Sequence, residues 1–259
     1  MKFTKMHGLG NDYLYVYGEV PADVAELSVR LSERHFGAGS DGMIFISPSD
    51  RADFAMRIFN ADGSEAKMCG NGIRCVGKYV YDRRYTDKTH LTIDTLSGIR
   101  TLDLEVKDGA VASVTVDMGK AAVSEQMTVC EAQLTPVSVG NPHAVIFVPD
   151  ADSAPVGTLG PKIEHSDAFP GGVNVEFVSV EGRNALRMRV WERGSGITMA
   201  CGTGACASTA AAVALGLCER NTPISVRLDG GTLVITVSDD NEIHMTGPAE
   251  FVYEGETLC

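Results

Sequence analysis

The chain repeats itself. Met56-Arg57-Ile58-Phe59 returns as Met188-Arg189-Val190-Trp191, and twelve residues after each arginine a cysteine opens a C-G-x-G segment, Cys69-Gly70-Asn71-Gly72 and then Cys201-Gly202-Thr203-Gly204. The offset is 132 residues with no gap across that window; Gly10-Asn11 and the apolar run 13–16 return near Gly140-Asn141 and 144–148 at an offset of 130. Gly and Cys coincide by chance in a Gly-rich chain, but not several times in register. Solenoid units are far shorter, roughly 20–50 residues, so this period implies two pseudo-equivalent domains. The expected boundaries are 1–118 for the half carrying Cys69 and 119–259 for the half carrying Cys201, the terminal strand being free to pack back on the first half. Two such domains facing each other about a pseudo-twofold axis would make a cleft with one cysteine on each wall, and interdomain clefts are common small-ligand sites.

Short β-rich runs are frequent, at 13–17, 43–46, 52–59, 91–93, 111–116, 144–148, 175–180, 185–191, 224–228 and 232–237, most of them punctuated by Gly, Asp or Pro. Clear helical signals are few: about 22–33, one following Cys69 through about 81, and one following Cys201 through about 217. A helix does not follow every strand, so a doubly wound parallel sheet is not expected. The expected class is α+β, each domain a mixed or antiparallel sheet wrapped around one central helix.

Composition narrows the function. A net charge of −12 over 259 residues disfavours a nucleic-acid partner, which needs clustered Lys and Arg. No run approaches the roughly 20 apolar residues that cross a membrane, and the start MKFTKMHGLGND places Gly, Asn and Asp where a signal peptide would have its apolar core. A cytoplasmic protein is expected. Seven cysteines, an odd number in a chain of this size, fit a reducing compartment better than a disulfide framework. Neither Cys69/Cys75 nor Cys201/Cys206 has C-x₂-C spacing, so no metal is expected. Gly8-Leu9-Gly10 lacks the rest of a G-x-G-x-x-G fingerprint and is read as preceding a strand rather than following one.

Both C-G-x-G segments lie where a strand hands over to a helix. Their glycines let backbone approach a ligand closely, and first-turn N–H groups lack intrahelical partners. Such a helix start lowers a thiol's pKa and attracts a carboxylate. Two of them could grip one α-carboxylate and poise two thiols, one as general base and one as general acid, for inversion of an α-carbon. Cys75 and Cys206, on the following helices, read as small buried apolar residues. A single nucleophilic Cys–His pair is the competing chemistry, but it leaves the duplicated motif unexplained.

The motifs Lys5-Met6-His7-Gly8-Leu9-Gly10-Asn11-Asp12, Phe59-Asn60-Ala61-Asp62-Gly63-Ser64-Glu65, Met68 to Gly72, Gly140-Asn141-Pro142-His143, Val173-Asn174, Trp191-Glu192-Arg193-Gly194 and Ala200 to Cys206 span nearly the whole chain. Together they resemble the diaminopimelate epimerase family. The resemblance implies interconversion of LL- and meso-diaminopimelate in lysine and cell-wall precursor synthesis, without pyridoxal phosphate or any other cofactor, by a homodimer whose interface includes Tyr253. It implies that Cys69 and Cys201 are the acid/base pair, by convention donor and acceptor. It also implies that Asn11, Asn60, Asn141, Asn174, Glu192 and Arg193 contact substrate, and that the N–H groups of Gly70-Asn71 and Gly202-Thr203 meet the reactive carboxylate. His143 and Glu192 are implied to tune the thiols or hold the α-ammonium. The chemistry is apt: asparagine amides both donate and accept, and an arginine fork suits a carboxylate.

Two positions depart from the family pattern. Gly42 stands where many members carry a substrate-contacting Gln, and Gly196-Ile197-Thr198 where Glu-Thr is common. The alternatives are another cofactor-independent racemase on the same scaffold, against which Asn60, Asn174 and Arg193 speak for a second amino-acid head group, and a binding protein without activity, which would be expected to have lost a cysteine or the helix-start glycines.

Overall fold

The computed structural model describes residues 1–257. In chain order the elements are β1 (Lys2–Gly8), β2 (Asn11–Tyr17), α1 (Val24–Ser32), β3 (Gly42–Ser47), β4 (Phe54–Asn60), β5 (Glu65–Ala66), α2 (Gly70–Asp82), β6 (His90–Thr95), β7 (Gly98–Lys107) and β8 (Ala110–Lys120). There follow β9 (Ala122–Val123), β10 (Met127–Val129), β11 (Ala132–Ser138), β12 (Pro142–Phe147), α3 (Val156–Glu164), β13 (Asn174–Gly182), β14 (Ala185–Glu192), β15 (Gly196–Ile197), α4 (Gly202–Ala214), β16 (Ile224–Leu228), β17 (Gly231–Val237), β18 (Glu242–Gly247) and β19 (Glu250–Glu256). The class is α+β. The chain divides into one unit of Met1–Val116 with Gly247 onward, and a second of Asp117–Thr246.

In the first unit β1 pairs antiparallel with β2, β2 parallel with β3, β3 antiparallel with β4, β4 parallel with β6, and β6 antiparallel with β7. In the second unit β11, β12, β13, β14, β16 and β17 pair in the same order and the same senses. Register repeats too: Leu14 faces Met43 as Ala144 faces Val175. The duplication read from the sequence is therefore a duplication of topology.

Each unit encloses its long helix. Helix α2 packs against β1, β2 and β7, and α4 against β11, β12, β13, β14, β16 and β17. Ala205, Ala207, Ala210, Ala211 and Ala212 of α4 are all buried, as are Ser208 and Thr209, whose hydroxyls donate to Met188 Sδ and Ala205 O, so the helix is covered around its whole circumference, as a helix ringed by sheet must be. Helix α2 is less uniform, burying Arg74 and Lys78; the Lys78 ammonium meets Asp82 at 2.9 Å and donates to the Val111 carbonyl at 2.6 Å.

Elements without a sequence signal have identifiable causes. Strand β1 carries Lys5, whose charge masks the alternation; Lys5 is neutralised by Asp12 at 2.6 Å. Helix α3 contains Gly157, Gly160 and Pro161, each a poor helix former. Gly160 is required there, because a Cβ on it would lie 2.6 Å from Trp191 Cβ. The Gly8-Leu9-Gly10 reading needs correction. The segment follows β1 as well as preceding β2, forming a two-residue hairpin turn with positive φ at both Leu9 (57°) and Gly10 (86°), the pattern of a type I′ turn.

Cys75 and Cys206 are fully buried. Burial pushes the Cys75 thiol up from 9.0 to about 11, with Cys69 adding and the Tyr15 phenol and Arg74 opposing. The folded state therefore binds this proton more tightly than the unfolded chain does. The stability is fully present below the unfolded value and is lost as pH rises through about 11. Two pH units correspond to roughly 3 kcal/mol at most. A Cys75→Ala variant is expected to lose less stability between pH 9 and 11 than the parent in urea titrations, and equal slopes would refute this origin.

Candidate active site

In the first unit Cys69 is the N-cap of α2, in extended conformation (φ −138°, ψ 115°), and its sulfur accepts the Gly72 N–H at 3.3 Å. The thiol donates to Asn11 Oδ1 at 3.4 Å, and the Asn11 amide donates to Asp41 Oδ2 at 2.8 Å. Asn11 reaches this point because the type I′ turn starts β2 there. Asp41 also accepts the Asp12 N–H at 3.1 Å and meets Arg34 at 3.2 Å; burial raises its carboxyl, with the Asp12 charge adding to it. Tyr13, on the next position of β2 but one, has its phenol pushed well up by burial and by Cys69 and Asp41.

The start of α2 is held from behind by Arg74. Its guanidinium donates to Gly70 O (3.2 Å), Asn71 Oδ1 (3.0 Å) and Pro248 O (3.1 Å), and is fully buried. Gly8 is small for the same reason: a Cβ there would lie 2.8 Å from Arg74 Nη2. Asn71 is buried, turned toward Arg74. Asn60, the last residue of β4, donates to Ser64 Oγ at 3.1 Å. Gly42 pairs with Asn60, and a Cβ on it would fall 2.2 Å from Phe59 O and 2.9 Å from Asn60 Cα at a φ of 152°. A side chain at 42 is thus excluded unless β3 and β4 move apart.

The second unit repeats the cap. Cys201 is the N-cap of α4 (φ −114°, ψ 108°); its sulfur accepts the Gly204 N–H at 3.3 Å and lies 3.5 Å from Thr203 Oγ1. Asn141, equivalent to Asn11, donates to Thr203 Oγ1 at 3.3 Å, and its Oδ1 lies 3.1 Å from His143 Nε2. His143 Nδ1 in turn lies 2.6 Å from Glu176 Oε1, and both side chains are wholly buried.

Glu192 ends β14 as Asn60 ends β4. It accepts a short hydrogen bond from the Thr198 hydroxyl, and its carboxyl is raised by burial, with Glu176 adding and Thr198 and His143 opposing. Asn174 is committed to its own loops: Oδ1 accepts the Arg193 N–H and Nδ2 donates to Pro142 O, each at 3.0 Å. The Arg193 guanidinium donates to Gly171 O at 3.2 Å. Glu164, from α3, braces the same turn by accepting from Trp191 Nε1 (2.6 Å) and Gly194 N (2.8 Å).

One expectation is corrected. A helix start lowers a thiol's pKa, yet Cys201 is raised well above its ordinary value. Burial is the largest cause and the charges of Glu192 and Glu176 add to it, while Thr203 and the Gly204 N–H offset only part. Residues not singled out from the sequence are Glu176, Tyr13, Asp41, Arg74, Glu164 and Thr198. Glu176 had a signal, a lone carboxylate in the apolar run Val173 to Val180. Among the described residues no group of three or more His, Cys, Asp or Glu is placed to hold a metal, and no helix is long and apolar enough to cross a membrane.

A family model described as diaminopimelate epimerase matches residues 3–124 and 135–252. A diaminopimelate epimerase of Acetivibrio thermocellus is 50% identical over 99% of this chain and 98% of its own length. One from Bacteroides thetaiotaomicron is 52% identical over 99% of this chain and 97% of its own. Among solved structures, a probable proline racemase from Agrobacterium radiobacter has the same fold, with a TM-score of 0.76 at 18% identity over 99% of this chain and 92% of that one.

Proposed function

The chain belongs to the diaminopimelate epimerase family, and from that premise we propose that it interconverts LL- and meso-diaminopimelate through Cys69 and Cys201. The observation that carries the reading is the repeated cap: each unit ends a strand-turn segment on a cysteine whose sulfur accepts the N–H three residues on, at 3.3 Å in both. A sulfur so held sits at the positive end of a helix, beside first-turn N–H groups suited to a carboxylate.

One thiolate removes the α-proton from one face, the electron pair spreads into the α-carboxylate, and the other thiol delivers a proton to the opposite face. The two sulfurs exchange protonation states with each turnover, so the reverse reaction uses them in exchanged roles. The N–H groups of Gly70-Asn71 and Gly202-Thr203 stabilise the charge developing on the carboxylate. Glu192 offers a countercharge for the α-ammonium. That ammonium also offsets the negative charge that holds the Cys201 proton in place, so arrival of substrate favours the thiolate. Asn11, Asn60, Asn141, Asn174 and Arg193 recognise the head groups, with Asn174 acting through the Arg193 backbone it already holds.

The reading places the enzyme in lysine and peptidoglycan precursor synthesis, in the cytoplasm and independent of a cofactor. Its test is the appearance of meso-diaminopimelate from the LL isomer, followed by chiral chromatography with reductant present. Inversion of proline or another monoamino acid in preference to diaminopimelate would replace it with the broader racemase reading. We further infer a homodimer including Tyr253, whose hydroxyl donates to Ala38 O at 3.0 Å. Sedimentation at twice the chain mass is expected, and a monomer at working concentrations would refute it.

A further inference from the structure

Glu176 stands where the fold does not need a carboxylate. In the first unit the same register position is Ile44: Tyr15 faces Ile44 as Val145 faces Glu176. Under the helix start the match continues, for a Cβ on Gly72 would lie 2.7 Å from Ile44 Cδ1 and one on Gly204 would lie 2.9 Å from Glu176 Oε1. Both residues are fully buried. One strand away Tyr13 is replaced, at the offset of 130, by His143. The second unit has thus exchanged an apolar side chain and a phenol for an acid and an imidazole behind its thiol. A carboxylate out of water is costly unless its oxygens are bonded. Here Oε1 is held by His143 while Oε2 is buried without a hydrogen-bond partner among the described residues.

From that carboxylate an unbroken chain runs to sulfur, all within the second unit: Glu176 Oε1 to His143 Nδ1, 2.6 Å; Nε2 to Asn141 Oδ1, 3.1 Å; Asn141 Nδ2 to Thr203 Oγ1, 3.3 Å; Thr203 Oγ1 to Cys201 Sγ, 3.5 Å. Beyond the carboxylate, which only accepts, each member can both donate and accept, so the chain has two directions. In one, both ring nitrogens of His143 carry protons, Nε2–H donates to Asn141 Oδ1, the amide N–H donates to Thr203, and the Thr203 hydroxyl donates to a thiolate. In the other, the Asn141 amide is turned over and donates to an unprotonated Nε2, Thr203 donates to Oδ1, and the thiol donates to Thr203. The proton count is the same; one proton lies on the ring in the first state and on sulfur in the second.

We propose that Glu176 is a positioning residue that, by holding the proton on His143, turns this chain toward Cys201 so that Thr203 donates to the sulfur and supports its thiolate. The proposal deepens the two-thiol reading and rests on it. The groups bearing on Cys201 are Glu192 from β14, Glu176 from β13, and Thr203 with the Gly204 N–H from α4, while His143 from β12 faces both carboxylates. A negative charge acting only through space would hold the proton on sulfur. Removing Glu176 then has opposite signs under the two accounts.

The test is the pH dependence of iodoacetamide alkylation at Cys201, read on its peptide by mass spectrometry, in the parent, Glu176→Gln, Asn141→Ala and the double variant. The chain predicts that Glu176→Gln raises the midpoint by about one pH unit, a roughly tenfold slower alkylation at fixed pH. Asn141→Ala should do the same by cutting the chain, and the double variant should shift no further than either. A lowered or unchanged midpoint in Glu176→Gln, or additive shifts, overturns the proposal. Should Glu176→Gln fail to fold, Asn141→Ala decides alone, and an unchanged midpoint overturns it. Diaminopimelate inversion by the parent is assayed beside it: an active parent without these shifts removes only the chain, whereas an inactive parent removes the functional reading.

Discussion

Cys201→Ser folds like the parent and inverts diaminopimelate about a thousandfold more slowly. The fold survives because serine is a favoured N-cap, and its hydroxyl can accept the Gly204 N–H that the sulfur accepts at 3.3 Å. The rate does not survive, because a hydroxyl titrates far above working pH and can neither take the α-proton as an anion nor hold the proton poised for return. Cys69→Ser is expected to behave likewise, its cap on Gly72 N being the same. The measurement pairs kcat with the thermal midpoint. A large fall in midpoint with little loss of kcat would make these cysteines structural caps.

Arg74→Met is expected to have the largest effect on stability. The substitution keeps most of the length and volume but removes the donors that satisfy Gly70 O, Asn71 Oδ1 and Pro248 O. Leaving such groups buried without their partner costs roughly 4 kcal/mol. In a chain of this size that lowers Tm by roughly 10 °C. Activity should fall as well, because Gly70 and Asn71 form the helix start beside Cys69. The equivalent position in the second unit, at the offset of 132, is the buried Cys206, so the topology itself does not require a cation there. A Tm within two or three degrees of the parent's, measured by calorimetry at pH 7, would show that apolar packing replaces the guanidinium without loss.

What could be read from the sequence was whatever recurred or lay in contiguous motifs. The repeat of Cys69 and Cys201 predicted two helix starts, and both cysteines are N-caps. The runs around 43–46, 144–148 and 185–191 alternate or are wholly apolar, and they are strands β3, β12 and β14. Features that depend on distant partners were not legible. Lys5 makes β1 look like a polar loop until Asp12 is seen beside it. Gly160 makes α3 look broken until Trp191 is found against it. The Cys201 thiol is raised rather than lowered chiefly because the fold buries it, with the Glu192 charge from β14 adding to it, and a helix-start argument counts only local backbone. Glu176 is masked because a run such as Val173 to Val180 reads as a core strand, and a single acid in it has no partner visible in sequence.

The central claim is that two thiols act on one α-carbon, and solvent exchange at that carbon tests it most directly. Reduced protein is incubated with LL-diaminopimelate in deuterated water, alongside Cys69→Ala and Cys201→Ala, and the α-proton signal is followed by NMR. The account predicts that the parent loses the α-proton signal as the meso isomer appears carrying deuterium at the inverted centre, and that neither variant forms the deuterated meso product. Inversion that persists at the parent's rate in either alanine variant, or inversion by the parent with the original proton retained at the α-carbon in every turnover, would contradict it.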